Sequence, residues 1–162
     1  MKILIVSDSH RSDANLKTVI DRTAPIDMLI HLGDAEGSDN LIRSWLDDSV
    51  DFEIVKGNND FFSPLDTEKE IMIGQYHVLL AHGHMYNVSL GVEMLRQEVT
   101  ARGFDIAMFG HTHRPYFEDR ENVIILNPGS ISYPRQDGRK PSYMIMELDK
   151  KGKAHFTQNY LE

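Results

Sequence analysis

Five apolar runs, Ile3–Val6, Met28–Leu32, Phe52–Val55, Val78–Ala81 and Ile106–Phe109, set the rhythm of this chain. Each has the length of a buried strand. Between the first three the spacing shifts to a helical period. Leu16, Val19 and Ile20 share one helix face after a cap at Ser12 or Asp13, and Pro25 blocks its continuation before a strand over Asp27–Leu32. Ser38 caps a second predicted helix with Leu41, Ile42, Trp45 and Leu46 inward, and Phe52–Lys56 follows as a third strand. This βαβαβ order predicts parallel strands joined by right-handed crossovers.

The second half has a different pattern. Glu70–Ile73 and Gln75–Ala81 around Gly74 predict a tight hairpin. A helix around Gly91–Ala101, with Val92, Leu95 and Val99 on one face, ends near Gly103, and Asp105–Phe109 is a buried strand. Tyr116–Asp119, Val123–Leu126, Tyr143–Leu148 and Ala154–Tyr160 read as antiparallel strands, turning at Glu121-Asn122 and Lys151-Gly152. No repeat, low-complexity stretch or linker interrupts the pattern. The expectation is one α/β domain over residues 1–162, with a second sheet supplied by the C-terminal half.

Composition narrows the function. The 162 residues have ordinary apolar and charged fractions, which sets disorder and fibrous classes aside. The sequence starts directly in a strand, has no long apolar stretch and contains no cysteine, so membrane spanning, secretion, disulfides and thiolate chemistry are not expected; a cytoplasmic location is. A net charge of −8, with Lys and Arg scattered, argues against an extended nucleic-acid footprint. Carboxylates neutralised by divalent cations would instead draw a phosphate-bearing substrate through the metal.

The chemistry lies in the polar cluster at the end of each run: Asp8-Ser9-His10, Gly33-Asp34, Gly57-Asn58-Asn59-Asp60, His82-Gly83-His84 and Gly110-His111-Thr112-His113. Strand ends of an open α/β sheet converge on one crevice, where ligands bind. A lone histidine is usually a packing or surface residue, and His31, His77 and His155, inside strands, take that reading. His31 precedes Gly33-Asp34 closely enough to orient a ligand. Asp8 and His10 would point to the same side if the chain stays extended. Gly33-Asp34 and Gly57-Asn58 would separately be turns, but a carboxylate can bridge two cations and an amide oxygen can bind one. His111-Thr112-His113, after a buried run and before Arg114-Pro115, is hard to justify by packing.

The ordered set Asp-x-His, Gly-Asp, Gly-Asn-x-Asp, His-Gly-His and Gly-His-x-His resembles the calcineurin-like metallophosphoesterase family. It is most similar to the small bacterial and archaeal, YfcE-like phosphodiesterase branch. The likeness covers nearly the whole chain, including Asn127-Pro128-Gly129-Ser130. It implies an α/β fold of two packed mixed β-sheets flanked by helices, a four-layer αββα sandwich with two divalent metals at the strand ends. Asp8, His10 and His113 would hold one metal, Asn58, His82 and His111 the other, and Asp34 would bridge them. Such donors suit Mn first, and Fe, Zn, Ni or Co, better than Ca. Asp60 would orient a neighbouring ligand.

The implied activity is a phosphodiesterase that opens a small phosphodiester by attack of a metal-bridging hydroxide. Many phosphatases of the family carry His where this chain has Asn59, which cannot act as a general acid. That shifts the expectation to diesters with stabilised leaving groups. His84 is the alternative proton donor, and Asn58, Asn59 and His84 are candidate hydrogen-bond donors to the phosphoryl oxygens. Arg11 and Arg135 are candidate substrate contacts, each also readable as a solvated arginine. The competing reading is a metal-binding scaffold or protein-interaction module of the same fold without turnover. Its partner surface would be Met85, Tyr86 or Phe61-Phe62, and its ligands should have eroded; here they are intact. The late strands leave an edge or face for a homodimer or higher homo-oligomer.

Overall fold

A computed structural model describes all 162 residues. Strands β1 (Lys2–Val6), β2 (Met28–His31) and β3 (Asp51–Ile54) alternate with helices α1 (Ala14–Thr23) and α2 (Asp39–Ser44). Then come β4 (Glu68–Ile73), β5 (Tyr76–Ala81), α3 (Glu93–Ala101), β6 (Ile106–Met108), β7 (Pro115–Arg120), β8 (Val123–Pro128), β9 (Ser142–Leu148) and β10 (Ala154–Tyr160). They form two five-stranded sheets, ordered β10-β9-β1-β2-β3 and β4-β5-β6-β8-β7. No helix is long and apolar enough to cross a membrane.

The apolar runs are continuous because both faces of each sheet are covered. Ile3, Ile5 and Ile30 face Val78, Leu80, Ile106 and Met108 across the space between the sheets. The alternate residues Leu4, Val6 and Leu29 pack outward on Leu16, Val19 and Ile42 of α1 and α2. Leu79, Ala107 and Ile125 pack on Leu95 and Val99 of α3. Two mixed sheets between helices are the expected fold.

Four details differ. β9 and β10 do not contribute to the second sheet: β9 pairs antiparallel with β1, taking its free edge, and β10 pairs with β9. β8 is antiparallel to β7 but parallel to β6, so the second sheet is as mixed as the first. Leu41 is 50% exposed, because α2 is little more than a turn and Ile42 alone takes its core position. Asp13 and Ser38 occupy the cap positions of α1 and α2 but cap neither with a side chain. Instead Ser38 Oγ donates to Asp13 Oδ2 at 2.6 Å, tying the two helix starts together.

Strands β1, β2, β3, β5 and β6 run parallel within their sheets. The polar clusters after them therefore leave the two sheets on one edge, where they meet.

Candidate metal centre

The chain turns sharply as it leaves these strands. Asp8, His10, Asp34, His111 and His113, five of the seven expected ligands, have φ of 56°, 48°, 62°, 69° and 58°. Left-handed backbone at a residue with a Cβ costs about 1–3 kcal/mol and persists only where its surroundings fix it. Asp8-Ser9-His10 is thus not extended, contrary to expectation. Its two functional side chains still meet, with His10 Nε2 3.6 Å from Asp8 Oδ1.

Hydrogen bonds between the clusters hold the turns. The N–H groups of Asp8 and His10 donate to the carbonyls of Gly33 and Asp34 at 3.1 and 2.8 Å, and Gly110 N–H donates to the His82 carbonyl at 2.9 Å. Asp60 is buried and accepts three backbone N–H groups, from Gly57 (2.6 Å), Asp34 (2.8 Å) and Glu36 (2.6 Å). It orients the backbone that carries Asp34 rather than a ligand side chain. The Asn127–Ser130 segment is a second brace. Asn127 Nδ2 donates to the Gly110 carbonyl and Thr112 Oγ1, both at 3.0 Å, and Ser130 Oγ donates to the Asp8 carbonyl at 2.8 Å.

Three imidazoles have Nδ1 facing a pure acceptor: His10 on Glu36 Oε2 (2.8 Å), His82 on the Leu32 carbonyl (2.6 Å) and His113 on the Tyr133 carbonyl (2.7 Å). Nδ1 must carry the proton in each, so a neutral ring offers Nε2 as a lone pair. All three Nε2 atoms turn to one place. Asp8 Oδ1 lies 3.6, 3.7 and 3.2 Å from those of His10, His82 and His113. Asp34 Oδ2 lies 3.7 Å from His10 Nε2 and 3.2 Å from His82 Nε2. His10 Nε2 and His113 Nε2 are 3.1 Å apart, a distance two bare lone pairs cannot share without a proton or a cation. Asp8 Oδ1 and His82 Nε2 are buried with no hydrogen-bond partner, an arrangement that costs roughly 1–3 kcal/mol per atom unless something else satisfies them.

The electrostatics show the same demand. Burial opposes ionisation of Asp8, but the His10 and His113 imidazoles outweigh it and hold the carboxyl well below its usual range. Burial likewise opposes ionisation of Asp34, which His82 brings down to about 2. Asp8 lifts His10 to about 9, and His82 is raised against its own burial by Asp34 and Asp8. Two buried carboxylates thus draw positive charge onto the imidazoles around them. A divalent cation held there would satisfy that demand and release the ring protons.

Asp8, His10 and His113 form one set of ligand atoms within 4.8 Å of one another, and Asp8, Asp34 and His82 another. Asp8 is common to both, and Asp34 touches a histidine of each. Asn58 and His111 sit at the rim, Asn58 Oδ1 3.0 Å from His111 Nδ1, with the His111 ring 5.1 Å from that of His82. The seven side chains adjoin one another, and their donor chemistry suits divalent cations.

The other candidates fall around this cluster. Asn59 is turned onto Asp34: its backbone N–H reaches Oδ1 at 2.8 Å and its Nδ2 reaches Oδ2 at 2.9 Å. His84 is half-buried, 5.6 Å ring to ring from His82 and 6.1 Å from His111, with Nδ1 unpartnered. Burial and His82 lower its pKa, and that of His111. Arg11 donates from Nε to the Glu36 carbonyl at 2.7 Å and lines a cleft of about 300 Å³ with Asn59 and Phe61. Arg135 donates its backbone N–H to the His113 carbonyl at 2.9 Å; with Arg139 it lines a cavity of about 470 Å³ that includes His10 and His113.

Glu36, Tyr133 and Arg139 belong to none of the sequence motifs. Glu36 had a signal, since it lies two residues past Asp34 in the same polar stretch. Loss of a partner that orients a metal-binding imidazole typically costs about 10–100-fold in metal affinity. Glu36→Ala should weaken metal binding by that factor, and Glu36→Gln, which keeps an acceptor for His10 Nδ1, should restore most of it; metal titration compares the two.

His31 orients the site from beneath. Its Nδ1 accepts the Gly33 N–H at 3.1 Å, so Nε2 carries the proton and donates to Ser9 Oγ at 2.9 Å. Burial lowers its pKa to about 4. Below the ordinary value of 6.5 the unfolded chain takes up a proton that the folded one refuses, so stability falls with pH from there towards 4. Urea unfolding between those values should show a loss of about 3 kcal/mol from this group. His31→Asn, which keeps an acceptor for Gly33 but does not titrate, should lack that slope.

Comparison with known proteins places these residues in context. The model of the calcineurin-like phosphoesterase superfamily domain matches residues 1–151. A probable metallophosphoesterase of Bacillus subtilis, YsnB, is 32% identical over 150 residues, covering 92% of this chain and 85% of that protein. The phosphodiesterase MJ0936 of Methanocaldococcus jannaschii is 25% identical over 154 residues, 80% of this chain and 83% of its own. Among solved structures, wild-type Vps29 of Entamoeba histolytica complexed with Zn²⁺ superposes with a TM-score of 0.77 at 25% identity, covering 99% of each chain.

Proposed function

This chain belongs to the calcineurin-like phosphoesterase superfamily, and from that premise we propose that it is a dinuclear metal-dependent phosphodiesterase acting on small phosphodiesters. The observation that carries the reading is the convergence of three imidazole Nε2 atoms on two buried carboxylates, with Asp8 Oδ1 and His82 Nε2 buried and without a hydrogen-bond partner. Asp8, His10 and His113 would hold one cation and Asn58, His82 and His111 the other, with Asp34 between them. Cations bound there, Mn foremost, would make water nucleophilic near neutral pH and oppose the charge of the phosphate.

The chain's own residues do the rest. Asn59 fixes both oxygens of Asp34 and is a positioning residue that cannot protonate a leaving group. Burial and His82 lower the pKa of His84, which favours a role as hydrogen-bond donor to a phosphoryl oxygen over that of an imidazolium acid. Asn58 at the rim is a second donor. Arg11 and Arg135 flank the cluster as cations for the non-bridging oxygens. No side chain here supplies a proton to an unstabilised alkoxide, so the substrate is a diester whose leaving alcohol is acidic.

Chelated protein resupplied with Mn, Zn, Ni or Co should hydrolyse bis(4-nitrophenyl) phosphate, whose 4-nitrophenoxide leaves without a proton. It should be at least about 100-fold slower in kcat/KM on a diester with an alkoxide leaving group, the least that a missing general acid costs. Absence of metal-dependent turnover would overturn the reading. If metal is retained without turnover, the protein is a metal-binding scaffold. Phe61 and Phe62, 74% and 102% exposed beside Asn59, favour that second reading.

A further inference from the structure

Resting on the phosphodiesterase reading, we propose that the cavity beside the His111–His113 loop is a specificity site for one arm of the substrate, a nucleotide-like arm carrying a planar ring and a second phosphate. This cavity, about 660 Å³, is the largest in the molecule and within the usual size of small-molecule sites. Tyr116 forms its aromatic wall, with the buried Phe109 behind it at 6.3 Å between ring centroids, and Leu90 forms an apolar one beside the buried Val88. Leu90 is 90% exposed, so this wall is open for a ligand to cover.

The cavity joins the candidate metal centre in two ways. Thr112, which lines it, stands between His111 and His113. Arg135 lines both this cavity and the one containing His10 and His113. A phosphodiester at the cluster would therefore lay one arm along the aromatic wall.

The charges say what that arm carries. Arg96, Arg102 and Arg120 each pair with a glutamate, and Arg11 and Arg43 donate their side chains to backbone carbonyls. Arg114, Arg135 and Arg139 have no carboxylate within 4.0 Å, and their guanidinium groups make no hydrogen bond. The first two face the large cavity and the last two the metal-side one. Three uncompensated guanidinium groups along one edge exceed what the scissile phosphate needs once cations hold it. A guanidinium binds phosphate through two parallel hydrogen bonds and stacks on flat rings. An apolar, aromatic cavity rimmed by such groups fits a nucleobase-like ring with its own phosphate.

Two measurements test this. In the first, nucleoside 5′-(4-nitrophenyl) phosphates with and without a 3′-phosphate are compared as substrates. The 3′-phosphate should raise kcat/KM about tenfold, mainly through KM, and Arg114→Gln should abolish that advantage. In the second, adenosine 3′,5′-bisphosphate is titrated calorimetrically into protein held in chelator. Arg114→Gln should weaken its binding about tenfold and that of the 5′-monophosphate much less. Equal kcat/KM for the two esters, or bisphosphate binding that Arg114→Gln leaves unchanged, would overturn the proposal. If no diester is hydrolysed with any metal, the phosphodiesterase reading fails, and the titration still decides the nucleotide site.

Discussion

Asp34→Asn should lose metal-dependent diester hydrolysis by more than about 100-fold, beyond the cost of losing a merely orienting partner, while the chain still folds. Asp34 Oδ2 lies 3.2 Å from His82 Nε2 and 3.7 Å from His10 Nε2, so it reaches a histidine of each ligand set. An asparagine puts one neutral oxygen where two anionic ones stood. Its NH₂ group also turns a donor towards the donors of Asn59, which now point at both carboxylate oxygens. Bound cation and hydrolysis should fall together. Far-ultraviolet circular dichroism should not change, because Asp60 still grips the backbone N–H of residue 34. Wild-type turnover in this variant would show that Asp34 is not part of the reacting centre.

Gly57→Ala is the change that should damage fold and site together. A Cβ at position 57 would lie 2.1 Å from Asp34 Oδ1 and 2.5 Å from Asp34 N, where no flexible chain end can give way. The Gly57 N–H is itself held by Asp60, so neither side can retreat freely. Overpacking of this kind costs about 1–3 kcal/mol. The stability loss should be measurable by urea unfolding of the metal-free protein, accompanied by weaker metal binding as Asp34 is displaced. Gly110 is as tightly placed, 2.0 Å from Ser7 Oγ and 2.8 Å from Asp8 Oδ2. Gly33, Gly57 and Gly110 are there because a neighbouring cluster presses against them.

That pressure explains what the sequence made legible. The five strands were readable because each apolar run ends on a polar cluster, a contrast carried by neighbouring residues. The clusters meet because parallel strands of both sheets end on one edge. The destination of β9 and β10 was not readable: an antiparallel strand carries no local mark of the edge it will join, and β9 took that of β1. Leu41 was misplaced because α2 is too short to present a full inward stripe. Asp8 and His10 were expected to meet through an extended chain and meet instead through left-handed turns. The acceptors that fix the imidazoles were the hardest to foresee. Two are the carbonyls of Leu32 and Tyr133, to which side-chain chemistry gives no clue. Glu36 reaches His10 only because the chain reverses at Asp34.

A strand-end cluster that is a cation site must hold its ions through purification. The most direct measurement is the metal content of protein stripped with chelator, reconstituted with Mn²⁺ and passed through a desalting column. The wild type should retain about two ions per chain and Asp8→Asn clearly fewer, since Asp8 is a ligand of one cation and its carboxylate lies within reach of His10, His82 and His113 alike. No retained metal, or the same content in wild type and variant, would contradict a cation site here.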